Sequence, residues 1–171
     1  MKQLLVLLMF LFVMGCTKQQ EVIQMGALKL TSPAFDNNGT MPAKYACDGD
    51  NISPQLNIQG VPESAVSLVL IVDDPDAPAG TWVHWVVWNI PADASVIDEG
   101  AVPGTQGLND FKKHEYGGPC PPSGTHHYMF RLYALDTELD LDENSKKSDV
   151  EKAMKGHILA QTKLVGLYSR Q

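Results

Sequence analysis

Hydrophobic positions along this chain fall into blocks whose spacing is that of strands more than of helices. Val66–Val72 (VSLVLIV) is a continuous apolar, β-branched run, as expected of a central strand buried on both faces. Thr81–Ile90 (TWVHWVVWNI) predicts a second strand. Strict alternation would put Trp82, His84, Val86 and Trp88 on one face, and Val83, Trp85, Val87 and Asn89 on the other. His127–Leu135 (HYMFRLYAL) predicts a third strand, with Tyr128, Phe130, Leu132 and Ala134 sharing a face. Ala27–Ser32 alternates as a first strand, and Leu159–Tyr168 reads as the last. Pro33–Pro62, rich in Gly, Pro, Asn and Asp, predicts irregular structure with short strands. A single helix is expected: Ser148-Asp149-Val150-Glu151 has the capping-box pattern, and the segment runs through Met154-Lys155 to Gly156, a natural C-terminal stop. The pattern predicts a mainly β domain, a sheet sandwich with a short helix near the C-terminus.

One apolar run does not belong to that domain. Leu4–Val13 follows Met1-Lys2 and has about half the roughly 20 residues a membrane-spanning helix needs. It has instead the length of a signal-peptide core. It ends at Val13-Met14-Gly15-Cys16, which resembles the lipobox of bacterial lipoproteins, where the cysteine thiol accepts lipid before cleavage. The expected organisation is a signal peptide at 1–15, lipidated Cys16 with a polar tether at 16–26, and one domain at 27–171. The expected placement is the bacterial cell envelope, with the chain held to the membrane by its lipid. Thr17, rather than Asp, after the cysteine favours the periplasmic face of the outer membrane in a Gram-negative host.

Charge narrows the partners. Thirteen basic and 20 acidic side chains give −7, or −8 once Lys2 is lost with the leader. A chain this acidic has no general electrostatic reason to bind nucleic acid or anionic lipid surfaces, so any anion must be held by a local site. With Cys16 committed to lipid, Cys47 and Cys120 remain, and an exported chain meets an oxidising compartment where such a pair tends to be bridged.

Three segments carry most of the polar groups set between rigid residues: Asp73–Pro78, Trp82–Trp85 and Tyr116–Tyr128. Pro75 and Pro78 fix the chain direction after a buried strand, and the glycines of the third segment allow close backbone approach. DPDAP at 74–78, the WVHW strand and GGPCPPSGTHHY at 117–128 resemble the signatures of the phosphatidylethanolamine-binding protein (PEBP) family. CDGDNISPQL at 47–56 and the ending GHILAQTKLVGLYSR resemble its bacterial Raf kinase inhibitor-like (YbhB/YbcL-type) branch. The resemblance covers roughly residues 27–170.

That resemblance implies a large antiparallel sheet packed on a smaller one, with a small cavity that binds phosphate, phospholipid head groups or similar anions. Carried over by position, Asp74, His84, Gly118, Pro119, His126 and Tyr128 form the pocket, with Asp76 and Trp82 as near neighbours. His127 stands between His126 and Tyr128, so alternation points it away. Two imidazoles and a tyrosine hydroxyl can donate to an anion, N–H groups near Gly118 could add another, and Asp74 could orient and charge an imidazole. No cofactor or metal is implied.

The expected function is non-catalytic binding of a small anion, phosphate or a phospholipid head group, with modulation of an envelope partner through it as an extension. An interaction protein that inhibits a protease or kinase is an alternative, as is a hydrolase using the same pocket. The hydrolase has less behind it: no G-x-S-x-G elbow or H-E-x-x-H pattern occurs, and neither Ser53 nor Ser123 has a nucleophile context. The branch also suggests a homodimer, for which the sequence has no signature.

Overall fold

The computed structural model describes residues 28–170. The leader, Cys16 and the tether lie outside the described residues. In chain order the elements are β1 (Lys29–Thr31), β2 (Gly39–Thr40), β3 (Leu56–Gln59), β4 (Ser67–Asp74), β5 (Trp82–Pro91), β6 (Val96–Ile97), β7 (Thr105–Gln106), β8 (His126–Leu135), α1 (Lys147–Ala153) and β9 (Ile158–Tyr168).

The apolar run at 66–72 forms the axis of the fold. All eight residues of β4 are buried, and the strand lies between β5 and β8 in a six-stranded sheet of order β2-β9-β8-β4-β5-β7. A strand covered on both faces needs a core on each side. On one side Leu68, Leu70 and Val72 pack with Trp85, Val87, Phe130 and Leu132, and with Leu30, Leu56, Ile58 and Ile97 of the smaller sheet β1-β3-β6. On the other side Val69 and Ile71 pack with Val86, Trp88, Leu135 and Leu139, closed by Val150 and Met154 at helix α1. The large sheet is antiparallel except at its edge, where the two residues of β2 run parallel to β9.

Two expectations need correction. The helix starts earlier than Ser148. Lys146 is the N-cap, and Asp149 reaches back to accept the Lys146 N–H at 2.9 Å. Lys147, in the first helical position, pairs with the fully buried Asp73 carboxylate, and this ion pair ties the start of the helix to the end of β4. Gly156, with φ +86°, follows the helix as expected.

The second correction concerns β5. Its register against β4 shifts twice, between the partners of Leu68 and Leu70 and between those of Val72 and Asp73. Each shift leaves one extra residue on β5, as in a β-bulge, and the extra residue reverses the alternation beyond it. Trp85, Val87 and Ile90 therefore share the first core, whereas Val86 and Trp88 lie in the second, with Val83 packed against it. His84 is the extra residue between the pairs Val72–Trp85 and Asp73–Val83. Asn89, at the other shift, has φ +54° and clamps Leu139 through both its main-chain groups, at 3.0 and 2.8 Å.

Cys47 and Cys120 form a disulfide across a sequence separation of 73, joining the segment after the short 3-10 turn Ala43–Tyr45 to the Gly/Pro loop before β8.

Candidate functional site

Asp74 ends β4, Trp82 and His84 open β5, and His126 and Tyr128 open β8. The antiparallel order brings these three strand ends to one edge of the sheet. They line a cavity of about 290 Å3, walled further by Ala77, Pro78, Phe111, Cys120 and Pro122. The bulge decides His84's presence: strict alternation with no register shift would put Trp82 and His84 on the face of Val86 and Trp88.

Within the cavity the two histidines are set differently. His126 Nδ1 meets Asp74 Oδ2 at 2.7 Å, and both side chains are nearly fully buried. The other carboxylate oxygen, Asp74 Oδ1, accepts the Asp76 N–H at 2.8 Å and fixes the turn after β4. His84 Nδ1 lies 2.6 Å from the Gly117 carbonyl, which can only accept, so Nδ1 carries the proton. Both rings thus have Nδ1 engaged and leave Nε2 for a ligand. Asp74 was expected to charge an imidazole, and its partner is His126. His84 has a neutral carbonyl partner, and burial pulls its pKa below the ordinary 6.5 against the opposing pull of Gly117 and Asp74.

Tyr128 completes the set. Its ring meets the His84 ring edge-on, with centroids 5.2 Å apart at 87°. Its hydroxyl is buried and is the sole side-chain polar atom among the described buried residues without a hydrogen-bond partner. Burial, with Asp74 nearby, pushes its pKa far up, so it stays a neutral donor.

The remaining residues expected at the site are placed around the cavity, not in it. Asp76 Oδ2 accepts from both the backbone N–H and Nδ1 of His127, at 2.8 and 2.7 Å, which stitches the 74–78 turn to the start of β8. That pairing holds the Asp76 carboxyl below its usual range. His127 points away from the cavity and is exposed. Gly118 lines an adjoining depression of about 120 Å3 with Cys47, Asn51, Lys113 and Glu115. The N–H groups expected to meet an anion here are already used: Gly118 N donates to Asn51 Oδ1 at 2.7 Å and Gly117 N to the His84 carbonyl at 3.0 Å. Only glycine fits at 118, because a Cβ would lie 2.4 Å from the Tyr45 carbonyl oxygen. Pro119 is buried, and its carbonyl accepts the Cys47 N–H at 3.0 Å.

Sequence reasoning missed Phe111 and Asn109. Phe111 is exposed and sits edge-on to both Trp82 and His84, at 5.5 and 5.3 Å. Asn109 is buried, donates to the carbonyls of His84 and Glu115, and accepts from the Lys113 N–H, so it shapes the loop that presents Phe111. Their signal is a lone aromatic in a polar stretch, which no periodicity marks. Among the described residues no three His, Cys, Asp or Glu side chains converge as a metal set.

Comparison with known proteins bears on this arrangement directly. The family profile described as phosphatidylethanolamine-binding protein matches residues 31–169. The chain belongs to this family. Its relatives include a UPF0098 protein of Methanothermobacter thermautotrophicus, 52% identical over 150 residues, covering 84% of this chain and 99% of the relative. A UPF0098 protein of Aquifex aeolicus is 45% identical, covering 84% of this chain and 89% of its own. Among solved structures, a PEBP homologue of Chlamydia trachomatis superposes with TM-score 0.83 at 44% identity, covering 85% of this chain and 99% of its own. YbcL of E. coli, described as a member of the mammalian PEBP family, gives 0.79 at 32% over the same shares. The expected PEBP-like architecture is therefore the observed one.

The expected placement is not sustained. Relatives at 44–52% identity include proteins of archaea, Aquifex and Chlamydia, and the Methanothermobacter protein is matched almost end to end by 84% of this chain. They bring no bacterial lipid-anchored setting with them, so the expected placement at the bacterial cell envelope does not stand. The Cys47–Cys120 bridge fixes no compartment in its place, since intracellular proteins of hyperthermophilic archaea are disulfide-rich.

Proposed function

We propose that this family member binds a small anion, phosphate or a phosphorylated head group, in the cavity between Asp74, His84, His126 and Tyr128, and performs no chemistry on it. The observation carrying this reading is the buried Tyr128 hydroxyl without a partner. Leaving a buried donor unsatisfied costs about 1–3 kcal/mol, a cost that a bound acceptor would remove. His84 and His126 line the same cavity, each with Nδ1 already engaged. Together they offer three donors once the rings are protonated, one for each terminal oxygen of a phosphomonoester.

The lining also supports binding over turnover. No serine, threonine or lysine lines the cavity, the Cys120 sulfur is held in the disulfide, and both Asp74 oxygens are engaged. The familiar serine or threonine hydroxyl, thiol and amine nucleophiles, activated by an adjacent base, are thus missing from this wall, which supports binding over turnover.

Isothermal titration with inorganic phosphate and with phosphoethanolamine tests the proposal. Tyr128→Phe is expected to weaken phosphate about tenfold or more, the worth of a hydrogen bond to a charged group, while leaving thermal stability equal or slightly raised. Undiminished phosphate affinity in Tyr128→Phe would sink the reading.

A further inference from the structure

The wall of the cavity nearest His84 is a segment whose ties run to one other stretch of chain and include one covalent bond. In Pro119-Cys120-Pro121-Pro122, three of four residues have no backbone N–H, so the segment can accept but scarcely donate hydrogen bonds. It belongs to no strand or helix. Cys120 and Pro122 nevertheless line the anion cavity, and Gly117, just before them, supplies the carbonyl that orients His84. What ties the segment down runs to the chain around Cys47. Pro119 accepts the Cys47 N–H, Gly118 donates to Asn51, Tyr116 Oη donates to the Tyr45 carbonyl at 3.0 Å, and the disulfide itself joins Cys120 to Cys47. The disulfide is the one covalent tie among these, and both of its cysteines are exposed to solvent.

From this placement we infer that the Cys47–Cys120 disulfide is a redox latch on the anion cavity: oxidised, it holds the wall that shapes the site; reduced, it lets the wall and the His84 carbonyl partner loosen. This inference rests on the proposed anion binding. The reductant is a dithiol. Its thiolate attacks one exposed cysteine sulfur, the S–S bond breaks, and a mixed disulfide forms as the other sulfur leaves as thiolate and takes up a proton. The reductant's second thiol then displaces the first cysteine. Two protein thiols result, the dithiol becomes a cyclic disulfide, and two electrons and two protons have passed to the protein. Exposure is what such exchange needs, since labile and regulatory bridges are the accessible ones.

The hydrophobic core does not share this dependence. The strands β4, β5 and β8 that carry Asp74, His84, His126 and Tyr128 are paired along their length and packed on both faces. Reduction is therefore expected to loosen the wall while the sheet persists.

The experiment is titration of inorganic phosphate into the native protein, first oxidised, then treated with a dithiol and checked for two free thiols, then reoxidised. Affinity should fall on the order of tenfold on reduction and return on reoxidation, with far-UV circular dichroism unchanged. Amide exchange at Gly117, Gly118 and Cys120 should speed up in the reduced form more than exchange in β4. The Cys47→Ser/Cys120→Ser variant should bind like reduced protein, and wild-type reduction gives the same comparison should that variant fail to fold. Equal phosphate affinity in the two redox states would overturn the latch, as would a bridge that resists dithiol until the protein unfolds. Failure of the oxidised protein to bind phosphate would instead strike the anion site itself, and the latch with it.

Discussion

Trp85→Ala is expected to lower the unfolding free energy by about 3–5 kcal/mol, the range for truncating a large aromatic in a packed core. The indole is 1% exposed and sits opposite Val72 in the centre of the fold. It also donates Nε1–H to Gln106 Oε1 at 2.7 Å and meets the Tyr116 ring edge-on at 5.6 Å. Truncation would open a void, release the two-residue edge strand β7 and leave a carboxamide oxygen unpartnered. Trp82→Ala is the matched control. That indole is 36% exposed at the cavity, so its loss should cost no more than about 1 kcal/mol. Urea unfolding of the two variants checks both figures. A loss below about 1 kcal/mol for Trp85→Ala would contradict its place in the core.

Affinity for sulfate, a dianion over the whole working range, is expected to fall with rising pH by up to about tenfold per unit, the limit for one coupled proton. The sign follows from His84. Burial depresses its pKa below 6.5 and so favours the neutral ring, and with Nδ1 donating to the Gly117 carbonyl the lone pair is then on Nε2. A bound dianion favours the imidazolium and raises that pKa. Between the two values the complex holds more protons than the free protein, and affinity drops as pH rises through the window. Below the depressed value the ring is already charged, and this contribution levels off. Titration calorimetry in buffers of differing ionisation heat counts the protons taken up. His126 and Asp74 face the same cavity, so the part that disappears in His84→Ala is the part owed to His84. A pH profile unchanged by that substitution would contradict the assignment.

Much of the fold was legible in the sequence, for a physical reason that applies unevenly. Burial on both faces leaves a mark that needs no register, and β4 was readable from Val66–Val72 alone. In β8, strict pairing with β4 and β9 preserves alternation over Tyr128, Phe130, Leu132 and Ala134, so its core face followed from period two. In β5 the same rule failed, because an extra residue is invisible in a list of side chains and shows only in the pairing. The helix boundary moved for a similar reason: Lys147 is placed by a buried carboxylate 74 residues away in the chain. At the site, the residue types of the motifs brought Asp74, Trp82, His84, His126 and Tyr128 to one cavity. Gly118, Pro119 and Asp76 came with the same motifs and turned out to build the surroundings. Phe111 and Asn109 lie in a loop without rhythm, where only the folded chain reveals their neighbours.

The extra residue in β5 has a consequence for how this strand tolerates change in length. A substitution at His84 removes one side chain and leaves its neighbours aimed as before. Deleting His84 itself would restore an unbroken pleat in which Trp85, Val83 and Trp82 keep their partners Val72, Asp73 and Asp74, so every strand persists and both neighbours stay on their present sides of the sheet. The cavity would then keep its indole and lose its imidazole, on a chain that still folds. Among proteins built on this sheet, the extra residue between the partners of Val72 and Asp73 should thus discriminate a cavity that can carry this imidazole from one that cannot, whatever the length of the turn before it.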